Sequence, residues 1–274
     1  MLEVILAAAL AARPGPPPLA VVKAALHQYE DGPALAPEFI FGPGETVFLS
    51  FLIQGYKVSP QNRIHLECRV EASDSGGTPL AEPFQREIQA ELAPEDKDWM
   101  PLVRHSVPVP PLGDPGTYHI RIAVRDLLAG AEAKSEIPFR AGGLDVAPSD
   151  TLVVRNFRFL RREEDRAPLP VAAYRPGDTL WARFEIRGYK YGEKNQVHVE
   201  YGLEVLGPTG KSLYQEPQAA IEQSSSFYPK RYLTGSLSLN LQANARPGDY
   251  TIVLRVRDRV GDQLSETRHG FRIQ

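Results

Sequence analysis

The feature that most constrains this chain is that it repeats itself once, with almost no change of spacing. The stretch GPGETVFLSFLIQGYK at positions 42–57 returns as RPGDTLWARFEIRGYK at 175–190. Gly44 falls on Gly177 and Tyr56 on Tyr189, both at an offset of 133, the difference between 177 and 44. NRIHLECRVEA (62–72) falls on NQVHVEYGLEV (195–205) at the same offset. Near the end of each half, DPGTYHIRIAVRD (114–126) matches RPGDYTIVLRVRD (246–258) at 132, the difference between 248 and 116. Solenoid repeats are only roughly 20–50 residues long, so one repetition on this scale means two tandem domains. The boundaries read as 19–140 and 152–274, with a Gly-, Pro- and Asp-containing linker over 141–151 and a separate segment over 1–18.

Both halves alternate apolar and polar residues with the period of a strand. Val47, Leu49, Phe51 and Ile53 share one face, and their counterparts Leu180, Ala182, Phe184 and Ile186 do the same. Ile64, Leu66, Cys68 and Val70 follow, matched by Val197, Val199, Tyr201 and Leu203. Further strands are expected around Val107 and Leu237, around Ile120 and Ile252, and at Phe139 and Phe271, with a short one near Pro79–Leu80 or Ser212–Tyr214. Together with an opening strand (LAVVKAAL, TLVVRNFRFL), this makes about seven per half. The 25 prolines and 22 glycines fall between these runs, as turns between short antiparallel strands require. The expected fold is all-β: two tandem, roughly seven-stranded sandwiches.

Pro115-Gly116 and Pro247-Gly248 each make a turn, and Tyr118 and Tyr250 open the strand that follows. A tyrosine at that step can bury its ring and return its hydroxyl to the turn backbone, the tyrosine corner of immunoglobulin-like sandwiches. On this PGxYxIxxxVxD ending, both halves resemble bacterial immunoglobulin-like and fibronectin type III-like repeats. The inter-sheet disulfide and central Trp of antibody domains are absent. The resemblance implies a binding or spacing role without specifying a ligand.

A net charge of −3 gives no field to gather nucleic acid or anionic lipid. The single cysteine, Cys68, occupies a core slot, so a buried thiol is expected rather than a nucleophile. The N-terminus MLEVILAAALAARPGPPPLA has a short apolar run and an Ala9-Leu10-Ala11 step like a secretory cleavage site, although Glu3 stands where a signal carries Lys or Arg. Export to the periplasm, cell surface or medium is therefore expected. The run is too short to span a membrane.

No nucleotide-loop, zinc-protease, nucleophile-elbow or calcium-loop motif occurs, and no catalytic residue, cofactor or metal is expected. His65 and His198 are each followed two residues later by Glu67 and Glu200, which supplies only two potential ligands from one strand. Asp126 and Asp258 end equivalent strands and read as turn caps. The candidate binding residues are aromatic. Phe48 and Trp181 are equivalent and lie on the outward parity, Tyr56 and Tyr189 share that parity, and Tyr191 adds a ring in the second copy. Such rings can stack on a sugar or a partner protein. The expected function is a non-catalytic, exported tandem module for adhesion, spacing or protein interaction, with polysaccharide binding through these aromatics as the alternative.

Overall fold

The computed structural model describes residues 17–96 and 98–274; the candidate leader, apart from Pro17 and Pro18, lies outside them. The first half forms β1 (Ala20–His27), β2 (Ile40–Phe41), β3 (Thr46–Gln54), β4 (Arg63–Ser73), β5 (Phe84–Glu91), β6 (Leu102–Pro108), β7 (Gly116–Asp126) and β8 (Ala131–Ala141). The second forms β9 (Val153–Leu160), β10 (Ala173–Tyr174), β11 (Thr179–Arg187), β12 (Val197–Leu206), β13 (Ser212–Ser224), β14 (Leu233–Asn240), β15 (Gly248–Asp258) and β16 (Gln263–Ile273). Each half is an immunoglobulin-like sandwich of a three-stranded and a five-stranded sheet. The orders are β1-β3-β6 on β2-β8-β7-β4-β5, and β9-β11-β14 on β10-β16-β15-β12-β13. All pairings are antiparallel except those of the two-residue strands β2 and β10, which run parallel to β8 and β16.

The alternation in the sequence sets which side of each strand faces inward. Val47, Leu49, Phe51 and Ile53 are all at or below 1% exposure, as are Leu180, Ala182, Phe184 and Ile186. They meet the inward residues of the facing sheet in two separate cores, one per sandwich. Cys68 is buried in the first, and burial raises its thiol to about 11, well out of the reactive range. Its counterpart Tyr201 uses its extra length to reach across the sheets, packing edge-on against Phe184 and donating to the Ser236 carbonyl.

The duplication extends to irregularities. Lys23 and Asn156, equivalent by the offset of 133, both hold positive φ at a bulge where β1 or β9 slips register against its neighbour. Phe51 faces Val103, whereas Phe184 faces Gly235, so the one-residue drift arises between β4 and β6. One expectation needs correction. Pro79 makes only an isolated bridge with Ser73, and the fifth strand of the first sandwich is Phe84–Glu91. Pro79 and Pro83 lack the N–H that a ladder needs, so pairing starts only beyond them. In the second half Ser212 stands at the position of Pro79, and β13 begins directly there; its one proline, Pro217, falls where the pairing with β12 slips register.

Both tyrosine corners are present. Tyr118 and Tyr250 are buried, and their hydroxyls donate to the Asp114 and Arg246 carbonyls at 2.8 and 2.7 Å. Each bond spans four residues and fixes the loop before β7 or β15. Tyr250→Phe is expected to cost about 1 kcal/mol, from one lost bond and a stranded carbonyl. Urea denaturation measures it, and an unchanged midpoint would show that the hydroxyl contributes nothing.

Candidate functional site: the joint between the sandwiches

The repeated Gly-Tyr-Lys closes the turn after β3 and β11, and each of its residues has a structural task. Gly55 and Gly188 have φ of +73° and +76°. The chain leading into β1 or β9 passes directly over them: an added Cβ would fall 2.1 Å from the Pro18 carbonyl oxygen, or 1.9 Å from that of Thr151. Only glycine meets both demands. The Lys57 and Lys190 backbone N–H groups donate to the carboxylates of Asp126 (2.7 Å) and Asp258 (2.8 Å). Those carboxylates, 1% and 0% exposed, also cap the turns after β7 and β15 through Leu128 N–H and Val260 N–H. Asp126 and Asp258 are thus turn caps, as expected, that additionally pin a second loop.

Tyr189 corrects the aromatic expectation. It is 5% exposed and belongs to the core of the second sandwich, so it is no surface ligand contact. Strand parity stops at Arg187, because the left-handed Gly188 rotates the following side chain inward. Tyr56 is half-buried against the first core in the same way. Tyr189 and Tyr191 both donate to the Lys230 carbonyl, and Tyr56 donates to the Trp99 carbonyl. These tyrosines therefore brace one loop in each sandwich, 92–101 between β5 and β6 and 225–232 between β13 and β14. Phe48 and Trp181 do lie at equivalent outward positions, opposite Ser106 and Ser238, and both are half-buried. The structure does not bring the five aromatics into one site.

The braced loop 225–232 plugs into the first sandwich. Tyr228 is 9% exposed and packs into the core of the first domain rather than its own. Its hydroxyl donates to Asp74 Oδ2 at 2.8 Å. Arg231 donates to the same oxygen and to Thr78 Oγ1, each at 2.6 Å, and its backbone N–H donates to the Leu112 carbonyl at 2.9 Å. Arg187, only 5% exposed, bonds Asp114 from the adjoining face and lies over the Tyr232 ring at 5.7 Å. The Tyr118 corner abuts the plug: a Cβ on Gly113 would fall 2.8 Å from the Tyr118 hydroxyl and 3.4 Å from that of Tyr228.

The electrostatics suit a fixed joint. Burial alone would raise the Asp74 carboxyl, but bonds from Arg231, the Thr78 N–H and Tyr228 outweigh it and hold the group below the ordinary aspartate range. Burial raises the Tyr228 phenol, aided by its bond to Asp74. Burial opposes the Arg231 charge, yet Tyr228 and Asp74 more than offset this and raise its pKa. Outside the joint, His65 faces Glu87 on β5, and Glu200 is held by Gln218 and Arg259. Among the described residues no group of three or more His, Cys, Asp or Glu is placed to hold a metal. Among them, too, no helix is long and apolar enough to cross a membrane.

Sequence reading by repeats missed Asp74, Asp114, Tyr228 and Arg231. The usable signal was where the copies differ. The equivalents of Asp74 and Asp114 are Gly207 and Arg246, and loops 92–101 and 225–232 share little. In a duplicated chain each end of a domain meets a different neighbour, so joint residues appear as breaks in the repeat.

No known family profile matches the chain, and no curated protein matches it. Solved structures give weak likenesses. The C-terminal domain of the Streptococcus pyogenes antigen I/II-family protein AspA aligns with a TM-score of 0.30 and 9% identity, over 91% of this chain and 98% of that one. The Streptococcus agalactiae AgI/II polypeptide BspA C-terminal domain gives 0.29 and 10%, over 94% and 100%. A family 123 glycoside hydrolase from Clostridium perfringens gives 0.30 and 14%; the match covers 45% of this chain and 27% of that one. TM-scores this low carry no functional argument, so the reading of this protein rests on its own geometry.

Proposed function

We propose that the protein is an exported, non-catalytic tandem module that acts as a stiff rod for adhesion, spacing or protein interaction. The observation that carries this reading is the plug of Tyr228 and Arg231 in the first sandwich. A plain linker would leave the two domains free to reorient. Here a partly buried ion pair, a tyrosine in the neighbour's core and a backbone bond hold one orientation, as a spacer or presenting module requires. Of the buried carboxylates, Asp126 and Asp258 are engaged in turns and Asp74 in the joint, while Glu185, 2% exposed, is raised by burial above the ordinary glutamate range. NMR relaxation tests the reading: residues 20–141 and 153–273 are expected to report one common, elongated diffusion tensor. Independent tumbling of the two halves would sink it.

Polysaccharide binding is the second reading. Its support is Phe48, half-exposed in a shallow depression that also holds the Asp31–Arg104 ion pair (2.7 Å), with Trp181 at the equivalent position of the second sandwich. Polysaccharide binding that Phe48→Ala and Trp181→Ala each weaken would favour it. Equal binding by wild type and both variants would remove it.

A further inference from the structure

The plug fills one end of the first sandwich, formed by the Asp74–Thr78 turn and the 110–114 loop. The second sandwich has the same end, turned away from the joint. Its turn is built alike: Gly207 N–H donates to the Lys211 carbonyl and Gly210 N–H to the Gly207 carbonyl, both at 2.9 Å, matching Asp74–Thr78 at 2.9 Å and Gly77–Asp74 at 3.0 Å. Between this turn and the 242–246 loop lies an open cleft of about 900 Å³, whose lining includes Leu213, Tyr214, Tyr250, Phe271 and Arg246. Leu213 and Tyr214 are 58% and 44% exposed. In the first sandwich Leu80, the equivalent of Leu213, is 3% exposed in the core that Tyr228 joins, whereas Leu213 and Tyr214 of the second stay exposed.

The chemistry of the two ends is opposite. Where the first end carries Asp74, Thr78 and Asp114, the second carries Gly207, Lys211 and Arg246. The first suits a cationic plug and receives Arg231 and Arg187. The second suits an acidic one. The loop equivalent to the plug in the first sandwich, 92–101, is acidic and aromatic: Glu95, Asp96 and Asp98 are exposed against one lysine in the sequence, and Trp99 is 40% exposed. It is braced by Tyr56 as the plug is braced by Tyr189 and Tyr191, and it lies at the opposite end of the molecule from the cleft.

We infer that copies of this chain dock head to tail, with loop 92–101 of one copy, led by Trp99, seated in the 207–246 cleft of the next. The contact reproduces between molecules the joint already made within one, with the charges exchanged. It uses different surfaces at opposite ends of the two copies, so it is heterologous, and each docked copy still presents a free loop at one end and a free cleft at the other to add further copies. Salt is expected to weaken it, since complementary exposed charges steer the approach.

Sedimentation velocity over a range of concentration and salt tests this. The wild type is expected to form a concentration-dependent ladder that shrinks as salt rises. Trp99→Ala and Arg246→Asp alter exposed side chains and are expected to keep the wild-type circular dichroism. Each alone is expected to lose more than about tenfold in self-affinity, as for loss of a central aromatic or charged anchor. Mixed together, they are expected to form dimers and nothing longer, because one supplies an intact cleft and the other an intact loop. A wild type that stays monomeric at every concentration overturns the inference. So does a ladder that survives either substitution, or a mixture that remains monomeric. None of these outcomes depends on how stiff the internal joint is.

Discussion

Gly188→Ala is expected to destabilise the second sandwich by about 4 kcal/mol, near the upper end for a single substitution. Two costs combine. The residue holds φ +76°, a left-handed conformation that costs a side-chain-bearing residue roughly 1 kcal/mol. The larger cost is steric, because the new Cβ would stand 1.9 Å from the Thr151 carbonyl oxygen, a backbone atom that cannot rotate away. Relieving that overlap shifts the chain entering β9. There Leu152 N–H donates to Gln263 Oε1, and Gln263 donates back to the Gly188 carbonyl and to Asp258. Gly55→Ala is expected to do the same to the first sandwich against the Pro18 carbonyl oxygen at 2.1 Å. Gly177→Ala is the control: φ is +86°, but nothing lies within 4 Å of its Cβ, so only the conformational cost of about 1 kcal/mol remains. Urea unfolding of the three variants decides the matter. If Gly188→Ala loses no more than Gly177→Ala, the close approach of the two chain segments is not what selects glycine.

Arg231→Ala is expected to weaken the joint by about 3 kcal/mol, because it removes the cation from a carboxylate that stays buried. The Asp74 side chain is 6% exposed and that of Arg231 27%, so water replaces the lost guanidinium only in part. The wild type is expected to unfold in one calorimetric transition that couples the two sandwiches, and the variant in two. A single unchanged transition would mean that the remaining contacts, Tyr228, the Arg187–Asp114 pair and the backbone bond to Leu112, suffice to couple them. Acid should act on the same contact. Asp74 is held below its ordinary value of 3.8, so its contribution is complete above that value and is lost as pH falls below it. The coupling should therefore be flat between about pH 5 and 8 and decline below about pH 4. In an Asp74→Asn variant the acid-dependent part should be absent.

What the sequence determined was local in origin. The period of two placed Val47, Leu49, Phe51, Ile53 and their counterparts in two cores, because successive strand residues must point to opposite faces. The Pro-Gly-x-Tyr step located both tyrosine corners, since ring, turn and acceptor lie within four residues. The duplication itself was legible because strand and turn chemistry constrain both copies alike. Parity failed at Tyr189, where one glycine with positive φ ended the alternation and turned an outward ring into the core. It also failed at Glu185 and Arg187, which lie on the outward face of β11 yet are 2% and 5% exposed. An outer face becomes an inner one only when another part of the molecule covers it. At Arg187 that cover includes the Asp114 loop of the first sandwich, 73 positions away, and Arg231 meets Asp74 across 157. Contacts at such separations leave no periodicity in the chain; they exist only once two folded surfaces have met, and so the tertiary structure alone decided them.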